Sequence, residues 1–140
     1  MPKTFQILVV EDNPADVRLL QEVFNEVSAN ITLRIANDGA EGLEMISTRN
    51  GRTHQPDLVL LDLNLPKISG HEVLASIKRN PSTCCIPVIV LTSSRAEADI
   101  KLAYQSHANA YLRKPSTLDG LISAARQINN FWLETATLPG

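Results

Sequence analysis

Four apolar segments of this chain end in side chains that can do chemistry. Glu11 and Asp12 follow Phe5–Val10 (FQILVV), Asp62 follows Leu58–Leu61 (LVLL), Thr92 follows Val88–Leu91, and Lys114 lies just beyond Ala110–Leu112. If the segments ending at Glu11 and Asp62 run side by side, three carboxylates converge. Two unit charges about 4 Å apart interact by roughly 4 kcal/mol at an effective dielectric near 20, so such a cluster needs a counter-charge. A divalent cation supplies one. Carboxylate oxygens at about 2.0–2.1 Å are what Mg²⁺ accepts, and another hard cation such as Mn²⁺ takes similar donors. Phosphoryl transfer asks mainly for positioning and for neutralisation of the oxygens on phosphorus, which a cation, the Lys114 ammonium and the Thr92 hydroxyl can share. Asp62, at the tip of a wholly apolar segment, is the best-placed nucleophile, and the pair Glu11–Asp12 would serve the metal.

Each residue alone has a plainer account. An acid after a strand is ordinarily a turn residue or a helix cap, and Thr92 with Ser93 and Ser94 can cap the next helix. A single lysine is usually solvated, and Tyr111 is by default a packing aromatic with a wet hydroxyl. The chemical reading rests on matched strand ends recurring along the chain. His54, His71 and His107 lack a spacing that sets two ligands on one face, and none is read as catalytic.

Positioning these groups requires a particular order of elements. FQILVV is continuous and rich in β-branched residues, as in a strand covered on both faces. From Ala15, Val17, Leu20, Val23, Phe24 and Val27 recur three and four apart, which predicts a helix with Pro14 in its first turn. Ile31, Leu33 and Ile35 alternate with Thr32 and Arg34, so this strand has a drier and a wetter face and reads as an edge. Asp38-Gly39 opens a short helix carrying Leu43 and Ile46, and the polar stretch from Ser47 to Gln55 reads as a loop. Leu58–Leu61 is a second buried strand. Gly70–Arg79 is helical with Val73, Leu74 and Ile77 inward, and Asn80-Pro81 ends it. Val88–Leu91 is a third buried strand, followed by a helix with Ile100, Ala103 and Tyr104, a strand Ala110–Leu112, and a longer helix presenting Leu118, Leu121, Ile122, Ala125 and Ile128. Strand and helix alternate five times, so parallel strands with right-handed crossovers and helices on both faces follow: a three-layer α/β fold. In open sheets of this kind, sites form at the carboxyl ends of the strands.

Length and composition narrow the function classes. A chain of 140 residues is of single-domain size, with a core expected over about 5–131 and an apolar extension beyond it. No apolar run approaches the roughly 20 residues of a membrane span, and Met1-Pro2-Lys3-Thr4 leads into a strand without a secretory h-region, so the expected location is the cytoplasm. Cys84 and Cys85 are adjacent, which suits neither a bridge nor paired metal ligation. A net charge of −2 with interspersed signs argues against direct nucleic-acid binding.

The stretches VVEDN (9–13), LLDLNLP (60–66), LTSS (91–94) and YLRKP (111–115) together resemble the motif set of response-regulator receiver domains, a resemblance running to about Phe131. It implies a (βα)5 fold, doubly wound in strand order 2-1-3-4-5 as in flavodoxin and CheY-like proteins, and a phosphoryl group received from a histidine kinase on Asp62. By that resemblance Asp12 and Asp62 match the direct metal carboxylates, Glu11 the acid acting through water, and the main-chain oxygen of Asn64 the remaining protein ligand. Thr92 matches the switch hydroxyl, Tyr111 the switch aromatic and Lys114 the phosphate-binding ammonium. Pro66 and Gly70 fall at the family's usual spacings, and Lys114-Pro115 matches a cis bond. The opening pair is Glu-Asp where many receivers have Asp-Asp. NPADVRLLQEVF (13–24) and FWLETATLP (131–139) further resemble the small cyanobacterial response regulators that serve phytochrome histidine kinases.

No DNA-binding or enzymatic module follows the receiver-like stretch, so the signal is expected to pass through a partner or through oligomerisation. Phe131, Trp132, Leu133 and Leu138 form an apolar cluster large for a tail, which predicts a homodimer through the fourth helix, last strand and last helix. The competing expectation is that the tail folds back on its own domain. Two other functions compete. An aspartyl-phosphate phosphatase of the haloacid dehalogenase type is superficially matched by Asp62-Leu63-Asn64, but Asn64 stands where that superfamily's general acid belongs. A phosphorylation-independent interaction module is opposed by the complete set Asp12, Asp62, Thr92 and Lys114.

Overall fold

The computed structural model describes residues 4–47 and 55–139. Most of the loop expected from Ser47 to Gln55, and His54 with it, lies outside the described residues. The strands are β1 (Phe5–Val10), β2 (Ile31–Ala36), β3 (Leu58–Leu61), β4 (Val88–Thr92) and β5 (Ala110–Arg113). They alternate with α1 (Pro14–Val27), α2 (Gly39–Ile46), α3 (Gly70–Arg79), α4 (Glu97–Gln105) and α5 (Leu118–Ile128). All pairings are parallel, in the order β2-β1-β3-β4-β5, as the motif resemblance implies.

Strand periodicity divides the core in two. Leu8, Val10, Val59, Leu61, Val88 and Val90 point to one face, where Ile46, Val73, Leu74, Ile77 and Ala103 of α2, α3 and α4 cover them. Ile7, Val9, Leu58, Leu60, Ile89 and Leu91 point to the other, against Leu20, Val23 and Phe24 of α1 and Ala125 and Ile128 of α5. Burial on both faces is why the central strands read as unbroken apolar runs. The helices start where local chemistry dictates. Pro14 opens α1, and the Asn13 side chain accepts from the N–H groups of Ala15 and Asp16. Ser69 and Thr117 cap α3 and α5 in the same way.

One expectation is corrected. The Lys114–Pro115 bond is trans, since the described residues contain no cis peptide; trans is the lower-energy isomer of an X–Pro bond by about 0.5–1 kcal/mol. On α4 only Ala103 is buried, while Leu102 and Tyr104 stay about half exposed. The tail folds back on its own chain: α5 runs on into a wider π-type helix, Asn129–Thr135, that buries Leu133 and packs Trp132 and Leu138 against the α1–α5 core. Phe131 remains 55% exposed, edge-on to Trp132 with ring centroids 5.2 Å apart.

Candidate functional site

Parallel register brings the four strand ends together. Val10 pairs with Leu61, Leu61 with Val90, and Thr92 with Arg113, so Glu11, Asp62, Thr92 and Lys114 all emerge at one edge of the sheet. Glu11, Asp62 and Thr92 are buried and Asp12 is exposed. Carboxylate oxygens of Glu11, Asp12 and Asp62 lie within 4.8 Å of one another. The donors are hard and anionic, and Asp12 opens to solvent, which fits a Mg²⁺-type cation that keeps some of its waters.

Lys114 neutralises this cluster. Its backbone N–H is fixed on Thr92 O at 2.8 Å, which aims the side chain along the strand ends. Its ammonium donates to Glu11 Oε1 at 2.5 Å, Asp16 Oδ2 at 2.9 Å and Asp62 Oδ2 at 3.1 Å. All three ammonium donors are thereby used. Burial opposes its charge, but the hydrogen bonds it donates to Glu11 and Asp16 and the charge of Asp62 outweigh that and hold Lys114 above the ordinary lysine range. Glu11 is pushed up to about 7, first by burial and then by the charge of Asp62, against the opposing pull of Lys114.

That shift has a measurable consequence. A carboxyl raised in the folded state favours folding most at low pH, and this contribution is lost as pH rises from about 4.5 to about 7. A cation that needs the ionised carboxylate acts in the opposite sense. The gain in Tm from Mg²⁺ is therefore expected to be larger at about pH 8 than at about pH 5.5, where ordinary carboxylates are already ionised. Equal gains in thermal unfolding at the two pH values would contradict a raised Glu11.

Asp62 is held by its own loop. Asn64 N–H donates to Asp62 Oδ1 at 3.2 Å, Gly70 N–H donates to Leu63 O at 3.0 Å, and Ile68 N–H closes a tight turn on Pro66 O at 2.8 Å. Lys67, at the centre of that turn, has φ 66°, a left-handed conformation uncommon for a side chain of its size. Thr92 accepts from Ser94 N–H at 3.4 Å, and the Tyr111 hydroxyl donates to Ser94 O at 3.0 Å. The loop after β4 thus joins the hydroxyl of Thr92 to the ring of Tyr111.

Every site residue anticipated from the sequence lies at or beside this edge. Two groups were missed. Asp16 completes the coordination of Lys114; its one signal in the sequence is an acid in the first turn of a helix that starts beside a strand end. The second is a chain across α3 and α4: Ser94 Oγ donates to Asp99 Oδ2 at 2.6 Å, and Asp99 Oδ1 meets His71 Nε2 at 3.0 Å. Asp99 is accordingly held below the usual carboxylate range, first by Ser94 and then by His71. Ser94 also accepts from Ala96 N–H at 3.3 Å, so it acts near the start of α4 without being its capping residue.

The model of the response regulator receiver domain matches residues 7–126. Over 135 residues the chain is 45% identical to the response regulator Rcp1 of Synechocystis sp., covering 95% of this chain and 92% of that protein. Among solved structures, the phosphorylated cyanobacterial phytochrome response regulator RcpA superposes with a TM-score of 0.90 at 42% identity, over 98% of this chain and 99% of that one. The Mn²⁺-bound form of Rcp1 superposes with a TM-score of 0.87 at 45% identity, over 99% of this chain and 100% of that one.

Proposed function

Because this chain belongs to the response-regulator receiver family, we propose that it accepts a phosphoryl group on Asp62 from a histidine kinase, in a reaction that depends on Mg²⁺ or a similar cation. The single observation that carries this is the convergence of Glu11, Asp12, Asp62 and Lys114 at one sheet edge. Glu11, Asp12, Asp62 and the main-chain oxygen of Asn64 would hold the cation, which supplies charge neutralisation for the incoming phosphoryl oxygens. A carboxylate oxygen of Asp62 attacks phosphorus, an O–P bond forms, the P–N bond to the kinase imidazole breaks with its electron pair going to nitrogen, and the imidazole leaves neutral after taking up a proton from solvent. Lys114, already 3.1 Å from Asp62, balances charge on the transferred group, and Thr92 offers its hydroxyl to it. The chain catalyses only its own phosphorylation and dephosphorylation.

Output follows from the same geometry. A new dianion on Asp62 draws the Thr92 hydroxyl inward and shifts the Ser94 loop on which Tyr111 rests, so the surface of α4, β5 and α5 changes. The relatedness to phytochrome response regulators supports a phytochrome-type kinase as the donor. The test is transfer of a radiolabelled phosphoryl group from an autophosphorylated kinase of that type. Label that is labile to hydroxylamine and absent from Asp62→Asn supports the reading; label retained in that variant contradicts it.

A homodimer through α4, β5 and α5 belongs to the same proposal. Leu102, Tyr104, Leu118 and Phe131 are each 45–55% exposed on these elements and their continuation. Deleting the tail would also strip Leu133 from the core, so Phe131→Arg with Tyr104→Arg is the cleaner test. Sedimentation velocity is expected to show a shift from dimer to monomer with the Tm little changed. Unaltered sedimentation of a dimeric protein would exclude this face.

A further inference from the structure

We propose that Asp16 is a positioning residue that holds the Lys114 ammonium at the rim of the site, so that it does not compete with a bound divalent cation for Glu11 and Asp62. The proposal rests on the phosphoacceptor reading above and deepens it. Lys114 divides three hydrogen bonds among three carboxylates, and the partners are not equivalent. Glu11 and Asp62 belong to the group that can take a cation, whereas Asp16 does not. Its side chain is 36% exposed, against 3% for Glu11 and 7% for Asp62, so Asp16 keeps a solvated charge at the rim. It comes from the first turn of α1, on the side of Lys114 that faces a cavity of about 140 Å³ between α1 and the segment after β5.

A cation among Glu11, Asp12 and Asp62 repels an ammonium nearby and takes up the charge of two of its three partners. Asp16 is the partner left, and it sits where it can hold Lys114 against that repulsion. Its plainer role, an acid favourably placed near a helix N-terminus, involves Lys114 in no way. The two accounts therefore differ in whether Asp16 acts through Lys114.

Mn²⁺ affinity of the full chain, followed by calorimetry and by the EPR signal of free Mn²⁺, decides between them. Without the Asp16 charge, Lys114 turns to Glu11 and Asp62 and competes with the cation. Asp16→Asn is expected to weaken Mn²⁺ binding about three- to tenfold, in the lower part of the range that coupled neighbours show. Asp16→Glu should recover most of the loss. In a Lys114→Met background, Asp16→Asn should change the affinity less than about twofold. A loss of equal size in both backgrounds, or none in either, would overturn the proposal. Phosphorylation of the parent chain by acetyl phosphate, run alongside, separates the two failures: labelling of Asp62 without coupling between Asp16 and Lys114 removes only this inference.

Discussion

Gly70→Ala is expected to destabilise the protein by about 2–3 kcal/mol and to slow phosphorylation of Asp62 by an order of magnitude or more. A Cβ on Gly70 would lie 2.3 Å from Asp62 O and 2.4 Å from Leu63 Cα. Both are backbone atoms of the segment that carries Asp62, so no side chain can swing away. Helix propensity favours alanine over glycine, by about 1 kcal/mol in a helix interior and by less at the first residue of α3, which makes the expected sign informative. Relief requires the chain at Asp62 and Leu63 to move relative to Glu11 and Lys114, and a misplacement of about 1 Å can cost roughly 100-fold in rate. Urea unfolding measures the first effect. The rate with acetyl phosphate, at a temperature where the variant is folded, measures the second. A variant of unchanged or higher stability would show that α3 does not press on the segment of Asp62.

Lys114→Met should separate metal binding from phosphoryl transfer. In EDTA the variant is expected to lose about 2–3 kcal/mol, below the roughly 3–5 kcal/mol for breaking a fully buried pair, because Glu11 can retain a proton and Asp16 is partly solvated. Mn²⁺ should then bind about tenfold more tightly, since a like charge 3.1 Å from Asp62 is gone. Phosphorylation should nevertheless fall by about 100-fold or more, because the developing charge on the transferred group loses its ammonium. Weaker Mn²⁺ binding in this variant would mean that Lys114 organises the carboxylates more than it competes for them.

Much of the fold was legible because the signals are local and periodic. The central strands, buried on both faces, read as apolar runs, and β2, at the sheet edge, reads as an alternating strand. Placing site residues at strand ends needs only the rule that parallel sheets bind at their carboxyl edge. Strand order, the ligand role of Asn64 and the switch roles of Thr92 and Tyr111 came from motif resemblance, since spacing along the chain does not say which strands are neighbours. Asp16 escaped because its meaning depends on Lys114, 98 residues away in sequence. The Ser94–Asp99–His71 chain escaped for the same reason, being made across α3 and α4. The tail was ambiguous because Phe131, Trp132 and Leu133 look alike as an apolar cluster. Only the path of the helix beyond Ile128 decides that Leu133 turns inward and Phe131 outward.

The central claim is that Asp62 takes a phosphoryl group in a cation-dependent reaction. Its most direct test is the intact mass of the purified protein after incubation with acetyl phosphate and Mg²⁺, with and without EDTA, repeated for Asp62→Asn. The prediction is one added phosphoryl group that requires both Mg²⁺ and Asp62. An unmodified wild-type mass, under conditions that label a known receiver, would contradict it and favour a module that works without phosphorylation.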